Sequence, residues 1–134
     1  MSKRLKLGLA AAVSTLVLAG LPAVAPAAGG QASGHWSKVS GQPKSVKFTV
    51  SFKVHTVGFD IRLPSSVKAT GLSSPRGLGC HVTFFVLVSC RGALAANHGA
   101  SGVVRLNKNV PSRLGGHLHG YTGGVGVDGT MTGP

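Results

Sequence analysis

The stretch VKFTVSFKVHTVGFDIRL, residues 46–63, decides the fold class of this chain. Polar residues fill every second position of its first half, and the positions between them are apolar: Val46, Phe48, Val50, Phe52 and Val54. Side chains along a β-strand point alternately to opposite faces. This period of two therefore predicts a strand with one buried and one solvated face.

The alternation shifts by one residue after Thr56. The apolar set of the second half is Val57, Phe59, Ile61 and Leu63. Such a shift moves every following side chain to the other face of a strand. A bulge or tight turn is therefore predicted within residues 55–58, and Pro64 is predicted to end the second strand.

Short apolar segments separated by turn residues continue to the end of the chain. Turns are predicted over residues 65–79 and a loop over 91–102, and strands are predicted within 80–90, 103–110 and 114–127. Five to seven short strands without a helical period predict an all-β sandwich. Residues 115–134 are Gly-rich, which weakens strand formation, so poor order is expected there.

The first 27 residues have the organisation of a secretory signal peptide. Lys3, Arg4 and Lys6 precede an apolar stretch over residues 7–21, and Ala25-Pro26-Ala27 forms a small-residue cleavage site. The alternative is a membrane anchor, but 15 apolar residues are fewer than the roughly 18–20 that span a bilayer. The mature chain is therefore predicted to be secreted, possessing no transmembrane span.

The composition after the signal peptide divides the mature chain into two parts. Residues 28–43 are rich in Gly, Ser and Gln, which is typical of a flexible leader. Residues 44–134 carry the strand pattern and are predicted to form the domain.

Charge is strongly unbalanced along the chain. The 134 residues include 14 Lys and Arg but only two acidic residues, Asp60 and Asp128, for a formal net charge of +12. Removal of residues 1–27, which hold three basic side chains, leaves 11 basic and 2 acidic ones and a charge of +9. So few carboxylates disfavour glycosidase dyads, calcium loops and magnesium–phosphate sites. No nucleophile elbow or phosphate-binding loop is present, so neither an enzyme nor a cofactor is predicted.

Basic residues cluster around the first predicted strand. Lys47 and Lys53 share its polar face, and Lys44 and Arg62 lie nearby in the sequence. Such a face suits anionic cell-wall polymers or lipid headgroups. No aromatic residue interleaves with these cations, so a base-stacking platform for specific nucleic-acid binding is not predicted. The equally supported alternative is that these cations only form a solvated face that keeps the protein soluble.

His117 and His119 are the best metal-ligand candidates in the sequence. Residues two apart on a strand point to the same face, and imidazole binds zinc, copper or nickel. Two ligands are too few for a stable site, and no third one stands at motif spacing. The alternative is a pair of polar residues on a solvated strand, and no metal is predicted.

Cys80 and Cys90 are the only cysteines. In a secreted protein a disulfide is favoured. Ten steps along one strand would separate their Cα atoms by roughly 33 Å, whereas a disulfide needs them within about 7 Å. A bonded pair therefore requires a hairpin that turns near residues 84–86. The alternative is two free thiols on an unbroken strand.

The order of these features resembles a bacterial Ig-like repeat family catalogued as domain of unknown function eleven. The resemblance rests on an alternating strand, a second strand ending in Leu-Pro, two cysteines flanking a hairpin, a Leu-Ala-Ala segment and a Val-rich strand before a proline. The matching segments are residues 48–54, 59–64, 80, 88–90, 92–96, 101–106 and 110–111.

This resemblance implies an Ig-like antiparallel β-sandwich that acts outside the cell or in the bacterial envelope. It implies a spacer or surface-interaction unit, whose partners would be cell-wall polymers or another envelope protein. It carries over Cys80 and Cys90 as a structural disulfide and no catalytic residue.

Overall fold

The computed structural model describes residues 31–134. They form nine β-strands, and the all-β prediction is confirmed, although the expected count of five to seven is wrong. The strands are β1 (Ala32–Val39), β2 (Gln42–Phe52), β3 (Thr56–Arg62), β4 (Ala69–Ser73), β5 (Gly79–Thr83), β6 (Leu87–Leu94), β7 (Gly99–Leu106), β8 (His117–Tyr121) and β9 (Gly126–Thr132). Within this part of the chain, no helix is long and apolar enough to cross a membrane.

The strands form two antiparallel halves around one core. The first sheet has the order β4-β7-β2-β1, and the second has the order β9-β8-β3-β6-β5. A short parallel pairing of Gly34 and His35 in β1 with Met131 and Thr132 in β9 joins the two halves. On the opposite side, the Ala69 N–H donates to the Phe85 carbonyl at 2.7 Å and brings the edge strands together. The fold is therefore close to a barrel.

The change of alternation after Thr56 coincides with a change of sheet. Strand β2 pairs with β1 and β7, whereas β3 pairs with β6 and β8. Residues 53–55 cross between the sheets, and the pairing of β3 with β6 shifts between Thr56 and Gly58. The predicted irregularity within residues 55–58 is thereby confirmed.

The hairpin between the cysteines is present. Strands β5 and β6 pair with Cys80 opposite Cys90, and the chain turns at residues 84–86. A disulfide joins the two cysteines, whose Cα atoms lie 4.1 Å apart. The alternative of two free thiols on one unbroken strand is wrong.

The predicted flexible leader is wrong where the structure describes it. Residues 32–39 form β1 inside the first sheet, and β2 begins at Gln42. Trp36 is 2% exposed, and its indole N–H donates to the Gly115 carbonyl at 2.6 Å. The other inward residues of β1 are Ala32 and Gly34, so the buried face gives almost no hydrophobic signal in the sequence. The predicted signal peptide and residues 28–30 lie outside the described residues.

Small inward residues also explain the other misplaced strands. The strand predicted at 103–110 is β7 at Gly99–Leu106, where Gly102 lies against Phe48. The Gly-rich residues 115–134, for which poor order was expected, contain β8 and β9, and Gly120 lies against Phe52. A Cβ atom at either glycine would come within 2.6 Å of the phenylalanine ring. Gly102 thus makes room for a ring from the neighbouring strand of its own sheet, and Gly120 makes room for a ring from the facing sheet.

Thr56 carries the one buried side-chain polar atom without a hydrogen-bond partner among the described residues. The residue is fully buried, so on folding its hydroxyl loses its hydrogen bonds with water and makes none within the protein. We expect Thr56→Val to raise the free energy of unfolding by about 1 kcal/mol, measured by denaturant unfolding.

Thr49→Val is the matched control, since the Thr49 hydroxyl lies on the outer face and bonds the Ser101 hydroxyl at 3.0 Å. It should give no gain in stability. A loss of stability in Thr56→Val would contradict the prediction.

Candidate functional site

The outer face of the first sheet carries hydroxyls and cations. Alternation along β2 turns its large apolar residues into the core and its polar residues outward. Strand pairing adds outward residues from β1 and β7 beside them. We call this surface the hydroxyl–cation face, formed by Ser33, His35, Ser37, Lys47, Thr49, Ser51, Lys53, Ser101 and Arg105.

The hydroxyls on this face lie in cross-strand rows. Thr49 stands between His35 and Ser101, and Ser51 stands opposite Ser33. The Ser33 and Ser51 hydroxyls are 3.4 Å apart. Both carboxylate side chains of the chain lie on the second sheet, so this face has cations without acidic partners.

The four basic residues singled out in the sequence do not form one patch. Lys47 points outward from β2 and Lys44 is exposed on the same strand. Lys53 directly follows the end of β2 and is exposed, and its N–H donates to the Gln31 carbonyl at 2.8 Å. Arg62 lies instead on the outer face of the second sheet, opposite His117. The reason is the crossing at residues 53–55, which moves the chain to the other sheet between Lys53 and Arg62. Arg105, which sequence reasoning missed, lies opposite Ser45 and joins Lys47 as its diagonal neighbour.

The second sheet brings both carboxylates and two histidines of the chain into one row. Strand register places five residues side by side across β5, β6, β3, β8 and β9. In this order they are His81, Ser89, Asp60, His119 and Asp128. Both carboxylates of the chain, 68 residues apart in sequence, therefore lie on either side of one histidine.

Asp60 is held by three neighbours. Arg91 Nη1 lies 3.1 Å from Asp60 Oδ1, and the Tyr121 hydroxyl donates to Asp60 Oδ2. The Asp60 side chain is 15% exposed. Burial acts to raise the pKa of this carboxyl, but hydrogen bonds from Tyr121, Ser89 and Arg91, with the Arg91 charge, outweigh it and lower the pKa below its usual value. The same contact with Asp60 raises the pKa of the Tyr121 phenol.

Two glycines make space for this cluster. The Arg91 guanidinium lies over the Tyr121 ring, 4.7 Å from its centroid. A Cβ at Gly58 would come within 2.9 Å of Arg91 Cδ, and a Cβ at Gly126 within 2.5 Å of the His119 ring. Arg91 and His119 therefore reach across their neighbouring strands because those strands carry glycine.

His119 is oriented by the second carboxylate. Its Nδ1 lies 2.5 Å from Asp128 Oδ1, and its ring meets Tyr121 edge-on with centroids 4.7 Å apart. His117 and His119 share an outer face, as the spacing predicts. His117, however, stands opposite the cation Arg62, and residues 31–134 contain no group of three His, Cys, Asp or Glu side chains that could hold a metal ion.

The order of the row is unsuited to a serine nucleophile. Ser89 and His119 stand on either side of Asp60, so two inter-strand steps of about 4.8 Å separate their backbones. A catalytic serine needs its base within about 3.2 Å. Ser89 is also buried and hydrogen-bonded to Asp60.

A shallow depression of about 290 Å³ opens over this cluster. Asp60, Arg62, His117, His119 and Tyr121 contribute to its walls. Sequence reasoning missed Arg91 and Tyr121, which complete the network around Asp60. Only strand register brings these residues together, and no local motif marks them.

No family model matches the chain, and no curated protein matches it. Among solved structures it is similar to a non-cellulosomal cohesin from the hyperthermophilic archaeon Archaeoglobus fulgidus, with 12% identity over 76% of this chain and 90% of that one and a TM-score of 0.41. It is also similar to self-complemented MyfA, the major subunit of Myf fimbriae from Yersinia enterocolitica, with 12% identity over 76% of this chain and 95% of that one and a TM-score of 0.40. At these scores, the fold class rests on the strand pairing of the chain itself.

Tyr121→Phe tests the network around Asp60. Removing the phenol O–H takes away one hydrogen bond to the ionised carboxylate, so the pKa of Asp60 should rise. A carboxyl group whose pKa is lower in the folded state than in the unfolded state stabilises the fold at pH values above the unfolded pKa of about 3.9. This stabilisation is lost as the pH falls through the folded pKa. The acid unfolding midpoint of the variant should therefore move to higher pH.

The measurement is a carboxyl-carbon NMR titration of Asp60 together with acid unfolding followed by circular dichroism. Lys47→Gln, which removes a charge from the opposite face, is the control and should leave the Asp60 titration unchanged. An unchanged Asp60 titration in Tyr121→Phe would show that the phenol does not stabilise the carboxylate.

Proposed function

We propose that this protein is a secreted, non-enzymatic interaction module with an Ig-like β-sandwich fold, acting at the exterior or envelope of a bacterium. The observation that carries the proposal is the separation of charge between its two outer faces. Cations and hydroxyls occupy the first sheet, while both carboxylates are engaged with partners on the second. A face of cations and hydroxyls without carboxylates suits an anionic ligand, because lysine and arginine make charge-assisted hydrogen bonds with anionic oxygens.

The compartment follows from two features of the chain. The N-terminal segment has the pattern of a secretory signal peptide. The Cys80–Cys90 disulfide is of a kind that persists in oxidising compartments. The resemblance to the Ig-like repeat family is part of the same proposal, and the cysteine-flanked hairpin supports it.

We further propose that the hydroxyl–cation face binds an anionic polymer of the cell wall. Lys47, Lys53 and Arg105 project from one sheet face that carries no acidic side chain. Serine and threonine hydroxyls between them can donate hydrogen bonds to phosphate or carboxylate oxygens. Charge-assisted contacts of lysine and arginine with such oxygens are stronger than neutral ones.

The double variant Lys47→Gln/Lys53→Gln tests this mode of binding. Each cation near an anionic surface contributes about 1 kcal/mol, so losing two should weaken binding about 30-fold at low salt. The measurement is retention of the mature protein on purified, phosphate-rich bacterial cell walls as a function of salt. Raising the salt to about 0.5 M should release the wild type, since the Debye length falls to a few ångströms.

Arg62→Gln/Arg76→Gln is the matched control. It removes the same amount of charge from exposed positions outside the hydroxyl–cation face. Retention should fall much less than in the lysine variant. Equal losses in the two variants would assign binding to net charge alone, and retention unaffected by salt would refute the electrostatic mechanism.

A further inference from the structure

The turn between β5 and β6 presents two phenylalanines to solvent. Phe84 is 86% exposed and Phe85 is 59% exposed, whereas the other three phenylalanines are fully buried. We call this pair the aromatic tip. Exposing two adjacent phenylalanine side chains to water is unfavourable in free energy, and a turn with a purely structural role does not require such residues.

The backbone of the aromatic tip is unfavourable for these residues. Phe84 has a φ of 51° and Phe85 a φ of 64°, both in the left-handed region. The Val86 N–H donates to the Thr83 carbonyl at 3.2 Å and closes a turn with positive φ at both central positions. Turns of this kind strongly prefer Asn-Gly, because bulky side chains are strained at positive φ. Exposed and strained aromatics are thus held at a place where the fold would favour small polar residues.

The surrounding structure holds the aromatic tip rigid. The Phe85 carbonyl accepts from the Ala69 N–H, and the Val86 carbonyl accepts from the Leu63 N–H, each at 2.7 Å. The Cys80–Cys90 disulfide fixes the two strands of the hairpin below the turn. A group that is already ordered loses little conformational entropy when it binds.

Three cations stand on the segments that pair with or are hydrogen-bonded to the base of the aromatic tip. Arg62 stands opposite Leu87 at the start of β6, and Lys68 directly precedes the residue that bonds Phe85. Lys108 follows Asn107, whose side chain and backbone both bond the backbone of Lys68. All three cations are exposed. The two carboxylates of the chain are bonded to Arg91 and His119, so neither neutralises these cations.

We propose that the aromatic tip inserts into the interface of an anionic lipid membrane. The exposed area of two phenylalanine side chains is roughly 200–350 Å², far below the roughly 800 Å² per partner of a stable protein interface. Membrane interfaces accept a few aromatic side chains beside cations, which anionic headgroups attract. None of its residues belongs to the hydroxyl–cation face, and the proposal does not depend on polymer binding there.

The test is co-sedimentation of the mature protein with vesicles of 30% phosphatidylglycerol in phosphatidylcholine, compared with pure phosphatidylcholine. Phe84→Asn/Phe85→Gly should lower partition into the anionic vesicles at least about tenfold, through lost apolar burial. The same change should raise Tm, because Asn-Gly suits the turn. Lower membrane affinity together with higher stability cannot come from misfolding.

Val125→Ser is the matched control, since Val125 is 71% exposed in the turn between β8 and β9. It should leave partition within about twofold of the wild type. Lys68→Gln should weaken partition into the anionic vesicles without changing the weaker binding to pure phosphatidylcholine. Equal losses in Val125→Ser and the tip variant, or no binding to the anionic vesicles, would overturn the proposal.

Two further readouts assign the effect to insertion. The fluorescence of Phe84→Trp should shift to the blue and be quenched by brominated lipid, over a constant background from buried Trp36. Phe84→Asn/Phe85→Gly should retain wild-type binding to purified cell walls, which separates this site from the hydroxyl–cation face. Absence of quenching in membrane-bound Phe84→Trp would contradict insertion.

Discussion

The contact of Phe59 with Phe48 and Phe52 holds the two sheets together. Phe48 and Phe52 project from β2 in the first sheet, Phe59 projects from β3 in the second, and the ring centroids lie 6.2 and 5.8 Å apart. Buried aromatic pairs of this kind contribute about 0.5–1.5 kcal/mol beyond the area that they bury. Gly102 on the neighbouring strand β7 leaves space for the Phe48 ring, and Gly120 on the facing strand β8 leaves space for the Phe52 ring. Trp36 extends the cluster to β1 by meeting Phe48 edge-on.

The crossing that makes this contact possible also separates the charges. From Val46 to Phe52 the odd-numbered residues of β2 face outward, Lys47 among them, whereas from Phe59 onward the even-numbered residues of β3, Asp60 and Arg62, face outward. The shift between Thr56 and Gly58, just after the chain has changed sheet, reverses this parity. Had the alternation continued without a shift, Phe59 would point to solvent and Asp60 into the core. The same local feature therefore closes the core and assigns the carboxylate to the second sheet.

How far the sequence predicts this structure depends on whether the inward residues are large. The strand around Phe48, the break before Phe59 and the hairpin between Cys80 and Cys90 were predictable, because bulky residues or covalent geometry mark them. Strands β1 and β7 were missed or displaced, because Ala32, Gly34 and Gly102 face inward and look like turn residues. Strand β4 was missed as well, since it lies within residues 65–79, where turns were predicted. The candidate site was less predictable still. The alternation of polar and apolar residues predicts that Lys47 and Lys53 face outward together. The meeting of Asp60 with Arg91, Tyr121 and His119 depends instead on which distant strands become neighbours, and no local pattern encodes that choice.

The aromatic tip shows where the sequence departs from what folding alone favours. A left-handed conformation costs about 1–2 kcal/mol for a residue with a side chain, and here two consecutive phenylalanines adopt it. The conformation persists because the Ala69 and Leu63 N–H groups hydrogen-bond the Phe85 and Val86 carbonyls and the disulfide fixes the strands that lead into the turn. Strained backbone conformations that the surrounding structure enforces cluster at functional sites. Most of the area of the two rings stays in water in the isolated protein, so their place at a rigid turn with cations on the adjoining segments is best explained by a surface into which they are buried.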